Sequence, residues 1–208
     1  QQNAQEDTGK LQVVTTLFPQ YDFARQVAGD LADVTLLLPP GTEAHTYEPS
    51  PADIINIQKS DLFIYTGKYM ESWAEGIISN LDSAQTQVLD VSEGITLVNE
   101  ADEPGHSEEG GEAHAHQFDP HIWTSPLNAV IMVDNIRAAL AEADPANAQA
   151  YEQNAAACIA ELQALDNDFM TLVNDAPHKK IMFGGRFAMY YFAQRYGESK
   201  GIRLWAWI

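Results

Sequence analysis

The chain has 208 residues, enough to bury a core as one domain or two small ones. Its 30 acidic residues against 11 basic ones give a formal charge of -19, a surface that repels phosphate backbones and anionic headgroups and so excludes nucleic acid as an expected partner. No uninterrupted apolar run approaches the ~18 residues a spanning helix requires, and the single Cys158 can build neither an internal disulfide nor a CxxC zinc module.

Residues 1–10 are polar, lack the basic and apolar regions of a signal peptide, and read as a flexible lead-in, either to an exported protein or behind a lipid anchor. Leu11 to Leu17 is short and rich in β-branched residues, as a buried strand should be. A helix is predicted from Pro19 to about Ala28, stopped by Gly29, and a second strand from Val34 to Leu38. Ser50-Pro51-Ala52-Asp53 has the signature of a helix start: a serine cap, proline at the first helical position and an acid near the free amides. Leu62 to Tyr65 is a third strand, Glu71 to Leu81 a third helix and Gln87 to Val91 a fourth strand. Strands alternating with helices imply a parallel sheet covered on both faces, with ligands bound outside the strands' carboxyl ends. The loop from Pro39 to Ser50 lies at one such end.

Residues 99–118 are acidic, histidine-bearing and without periodicity, and this insertion is expected to be mobile. One helix follows from Ser125-Pro126 to about Ala143. Another runs from Asp144-Pro145 to about Asn174 with no internal Gly or Pro, on the order of 45 Å long at ~1.5 Å per residue. It reads as a strut. After Pro177 the pattern restarts, with a strand at 179–183, a helix at 186–196 and one more strand at 201–208. The expected fold class is α/β: a parallel-sheet lobe over 11–143, a linking strut helix over 144–176, and the start of an incomplete second α/β lobe over 177–208.

His45, in Gly41-Thr42-Glu43-Ala44-His45-Thr46-Tyr47-Glu48, offers an imidazole suited to Zn²⁺ from a loop aimed into a cleft. Glu43 and Glu48 stand as ligands, as orienters or as solvated carboxylates. His121 lies in Asp119-Pro120-His121-Ile122-Trp123, where proline stiffens the turn, Asp119 is placed to receive an imidazole N–H and Trp123 to wall off water. Its bland alternative is a histidine on a rigid helix-entry turn. His106, His114 and His116 punctuate the acidic insertion, either as a low-affinity metal collector or as part of a solvated linker. His178 reads as an exposed residue at a helix end. The chain carries no nucleophile elbow, H-E-x-x-H, P-loop or G-x-G-x-x-G dinucleotide turn.

The opening strand with Phe18-Pro19, the run from Pro40 to Pro51, the acidic His-bearing loop, Asp119-Pro120-His121-Ile122-Trp123 with Ser125-Pro126, the long helix and the β-α restart occur here in one order. In that order the chain resembles the metal-binding proteins of ABC-type zinc and manganese importers, over roughly residues 11–197. The resemblance implies two α/β lobes bridged by a rigid helix, metal held between them and no chemical turnover. In the zinc branch the first two ligands are histidines that match His45 and His121. A third histidine usually follows the first strand of the second lobe, and an acidic residue later in that lobe completes the site. Here Arg186 occupies the third position, and a guanidinium has no lone pair to give a metal. Arg186 is expected to pair with a carboxylate such as Glu48 or Asp119. The chain also stops before the acidic ligand would appear, so the second lobe is expected to be incomplete and open to a homodimer.

The resulting expectation is an extracytoplasmic Zn²⁺-capture protein, periplasmic or lipid-anchored, that serves an ABC permease. His45 and His121 are its ligands, His116 the third, and water or a carboxylate such as Glu48 the fourth. Zn²⁺ is favoured over Mn²⁺ because Mn²⁺ prefers a shell richer in carboxylates. Capture should weaken as pH falls through ~6.5, where imidazole protonates. The rival readings are a zinc buffer or adhesin-like protein that binds without delivering, and a metallohydrolase.

Overall fold

The computed structural model describes residues 9–39, 41–99, 118–177, 180–184, 188–197 and 203–207, with 180–184 and 203–207 described through their backbone. Strands β1 (Leu11–Thr15), β2 (Ala32–Leu36), β3 (Leu62–Tyr65) and β4 (Gln87–Asp90) form one parallel sheet in the order β2-β1-β3-β4. Helices α1 (Phe18–Ala28), α2 (Pro51–Lys59) and α3 (Ala74–Ile78) make the crossovers. Alternation along the strands sorts their side chains onto two faces. Val13, Leu62 and Ile64 join a core with α1, α4 (Pro126–Ala143) and α5 (Ala148–Asp175), whereas Val14, Phe63 and Tyr65 join a second core that includes Ile57 of α2 and Ala74 of α3. Both faces are covered, which is why these strands read as continuous apolar runs. The fold is α/β, as the alternation of elements implies.

Local signals account for the helix starts. Ser50 Oγ accepts the Asp53 amide while the Asp53 carboxylate accepts the Ser50 amide at 2.8 Å, a reciprocal cap with Pro51 at the first helical position. Gln20 Oε1 accepts the Leu17 amide at 2.8 Å and steadies the start of α1, and Gly29 at φ 56° ends that helix.

Some boundaries differ from the sequence reading. β2 lies two residues earlier than predicted. The amides of Leu37 and Leu38 still reach Thr15 O and Thr16 O at 2.8 and 3.3 Å, so the apolar run outlasts the ladder. The third helix covers Ala74–Ile78 rather than 71–81, because Met70 and Glu71 turn inward on a bend opened by Gly67, whose φ is 116°.

α5 has 28 residues, ~42 Å at ~1.5 Å per residue. Its first half packs Tyr151, Ala155 and Cys158 into the core against α1 and α4. Its second half receives α6 (Tyr190–Gly197): Asp166 accepts two bonds from Arg195, at 2.9 and 2.6 Å, and one from the Tyr196 hydroxyl at 2.8 Å. Strands β5 (Lys180–Gly184) and β6 (Arg203–Trp207) pair in parallel with α6 between them, a small βαβ unit. The helix predicted from 186 begins at Tyr190, and 185–187 lie outside the described residues. No helix among the described residues is long and apolar enough to cross a membrane.

Candidate metal centre

In this strand order the chain leaves β1 toward β2 on one side and β3 toward β4 on the other, which opens a crevice where ligands collect in parallel sheets. Segments beyond the carboxyl ends of three strands line a cavity of about 460 Å³: Leu17 and Phe18 after β1, Leu38 and His45 after β2, and Met70 after β3. His121 and Trp123 enter from the turn that precedes α4. The imidazoles of His45 and His121 lie 5.9 Å apart, centroid to centroid, with planes at 72°.

His121 is held from below. Asp119 Oδ1 accepts both the His121 amide at 2.7 Å and its Nδ1–H at 2.8 Å, which leaves Nε2 as the nitrogen with a lone pair for a metal. Asp119 is almost wholly buried, and its Oδ2 has no hydrogen-bond partner among the described residues. Trp123 stands edge-on to the His121 ring at 5.5 Å. The His45 loop is anchored by a bond from Trp73 Nε1 to Ala44 O at 3.3 Å. The Tyr47 ring packs on Trp73, and its hydroxyl donates to Asp53 at 2.9 Å. Burial and that carboxylate push the Tyr47 hydroxyl up to about 12.

Glu43 lines the cavity and accepts the His45 amide at 3.4 Å, whereas Glu48 is exposed and is not among the lining residues. His116 and Arg186 lie outside the described residues, as do His106, His114 and His178. Among the described residues no group of three or more His, Cys, Asp or Glu gathers to hold a metal. What is assembled is a pair of imidazoles with a buried carboxylate behind one of them.

Two features escape a reading of the sequence. Directly after β1 and β3, Thr16 Oγ1 donates to Glu71 Oε1 at 2.5 Å, the Thr66 amide donates to Glu71 at 3.1 Å, and Gln20 Nε2 donates to Thr66 Oγ1. Burial raises the Glu71 carboxyl to about 8, against the hydrogen bonds from Thr16 and Thr66 that lower it. Tyr191 of α6 donates its hydroxyl to Asp119 O at 2.6 Å. No motif in the flanking sequence marks either residue: Glu71 joins Thr66 nearby to Thr16 55 positions away, and Tyr191 reaches Asp119 72 positions away.

One literal G-x-S-x-G run is present, Gly197-Glu198-Ser199-Lys200-Gly201. Its Gly197 is the last residue of α6, and 198–201 lie outside the described residues.

Residues 13–205 match the family described as the zinc-uptake complex component A, periplasmic (ZnuA). The zinc-binding lipoprotein AdcA of Streptococcus pneumoniae serotype 4 is 38% identical over 196 residues, covering 94% of this chain and 39% of its own. The high-affinity zinc uptake system protein ZnuA of Bacillus subtilis is 39% identical over 189 residues, covering 90% of this chain and 59% of its own. The crystal structure of Zn(II)-bound AdcA from Streptococcus pneumoniae superposes with a TM-score of 0.81 at 36% identity, covering 96% of this chain and 40% of that one. The chain thus spans roughly two fifths to three fifths of these relatives' lengths.

Proposed function

The chain belongs to the ZnuA family of zinc-uptake components, and from that premise we propose that it captures Zn²⁺ outside the cytoplasm and presents it to an ABC-type permease. The observation that carries this is the His45–His121 pair, 5.9 Å apart in a cavity at the sheet's carboxyl ends. His45 and His121 are the ligands, with His121 binding through Nε2 because Asp119 holds its Nδ1–H. Trp123 excludes water. His116 and a carboxylate or water, with Glu43 better placed than Glu48 for that role, are assigned to the remaining positions. Arg186 is assigned a carboxylate partner, and the unpartnered Asp119 Oδ2 supports Asp119 in that role.

The same reading keeps residues 11–143 as the metal-binding lobe, 144–176 as the link and 177–208 as the start of the second lobe. The contacts of α5 with α1 and α4 at one end and with α6 at the other support it. Attachment to the outer face of the membrane is proposed from the lipoprotein relatives.

Calorimetric titration of Zn²⁺ into the chain tests the site. Loss of at least 100-fold in affinity is expected in both His45→Ala and His121→Ala; tight binding that survives both substitutions sinks the assignment. Mn²⁺ should bind more weakly than Zn²⁺. Reconstituted transport separates delivery from buffering, since a buffer binds zinc and feeds no permease.

A further inference from the structure

We infer that Tyr191 is a positioning residue for the metal site, a tie by which the placement of α6 fixes the orientation of His121; the inference rests on the zinc-capture reading above. Tyr191 is 3% exposed. Its hydroxyl donates to Asp119 O at 2.6 Å and accepts the Val98 amide at 3.2 Å. Val98 O in turn accepts the Asp119 amide at 2.9 Å, and Asn99 bridges Phe118 in antiparallel fashion one residue further out. These four residues are the two ends of the 100–117 insertion, and the hydroxyl holds them together at their base.

Among the described residues, the hydrogen-bonded route from this hydroxyl to His121 runs through Asp119. With its amide bound to Val98 and its carbonyl bound to Tyr191, the Asp119 backbone is clamped on both sides. Its side chain then spends Oδ1 on both the amide and Nδ1 of His121. The direction of His121 Nε2 therefore depends on a backbone that Tyr191 holds. The other end of α6 is fixed to α5 by Arg195 and Tyr196 on Asp166, so the hydroxyl is anchored to a rigid helix. Removing it leaves the half-buried Val98 amide and the buried Asp119 carbonyl each short of a bond, and the turn can rotate to recover them.

Tyr191→Phe keeps the ring in the core and deletes the hydroxyl. Its zinc affinity is expected to fall about ten-fold, the scale seen when a group that orients a ligand is lost. A double-mutant cycle separates positioning from general loosening. In a His121→Ala background the same substitution should leave residual zinc affinity unchanged, whereas a merely structural role weakens both backgrounds alike. Tyr196→Phe, which removes a hydroxyl from the same helix but leaves the Arg195–Asp166 pair holding it, should lower zinc affinity less than Tyr191→Phe does, and an equal loss in the two variants counts against the tie. Hydrogen exchange on the unsubstituted chain gives an independent reading: zinc should slow exchange of the Val98 amide, and no change there counts against the tie. Wild-type affinity in Tyr191→Phe overturns the inference. Failure of the unsubstituted chain to bind zinc overturns the proposed function instead.

Discussion

Glu71 places a carboxyl where no solvent reaches, between the residues that follow β1 and β3. Burial raises it to about 8 against the hydrogen bonds from Thr16 and Thr66 that favour its charged form. An ordinary carboxyl in the unfolded chain ionises near ~4.3. Between those values the folded state holds a proton that the unfolded state has released. The stabilising contribution is therefore complete below ~4.3 and is lost as pH rises through about 8, by roughly 1.4 kcal/mol per pH unit at its steepest. Glu71→Gln should remove that slope, giving stability by urea denaturation that is flatter from pH 5 to 8 than the parent's. Equal slopes in the two proteins would count against a protonated Glu71. Residues of this kind mark the limit of a sequence reading. His45 and His121, which line one cavity, are legible from local context: proline stiffens the backbone before and after these segments, and Asp119 stands two positions from His121. Glu71 and Tyr191 each act on a partner far along the chain, Thr16 at 55 positions and Asp119 at 72, and no pattern in their neighbours announces it.

At the scale of elements, α6 depends on one charged cluster. Asp166 of α5 accepts a bidentate pair from Arg195 and a third bond from Tyr196, and Phe169 packs on Phe192 and Tyr196 at 5.0 and 5.5 Å. The Arg195 bonds first, then Tyr196, hold the Asp166 carboxyl below its ordinary value. Such a group stabilises the fold above ~3.9, the value of an unfolded aspartate, and that contribution is lost as pH falls through the lowered folded value. Asp166→Asn keeps the shape and removes the charge. It should cost on the order of 2 kcal/mol, discounted from a fully buried pair because the Arg195 head is partly exposed. The measurement is hydrogen exchange along 190–197, where faster exchange than the parent is expected and unchanged protection would contradict the anchoring. Elements of this kind were legible where apolar content and punctuation agreed, as in β3 or in α2 behind Ser50-Pro51. The third helix was overextended because Glu71, a good helix former, is used as a buried hydrogen-bonding group, and packing overrode propensity.

The whole molecule is an anion, and the proposed cargo is a cation. Alternating elements announce a parallel sheet with two covered faces, but not the order β2-β1-β3-β4, which is set by which strands meet across long crossovers. That order opens the crevice, and the crevice gives the net charge of -19 a place to act. In the proposed site the two imidazoles would supply affinity without needing that field, so charge should appear in the rate of capture more than in the rate of release. The Debye length is ~30 Å at 0.01 M salt and ~3 Å at 1 M, hence distant carboxylates attract Zn²⁺ only in dilute salt. Stopped-flow zinc binding, in a salt whose anion does not bind zinc, should show the association rate falling roughly ten-fold from 0.01 to 1 M while the dissociation rate stays within about two-fold. An association rate independent of salt would mean that the acidity serves solubility alone and that capture is governed by the His45–His121 pair and its immediate walls.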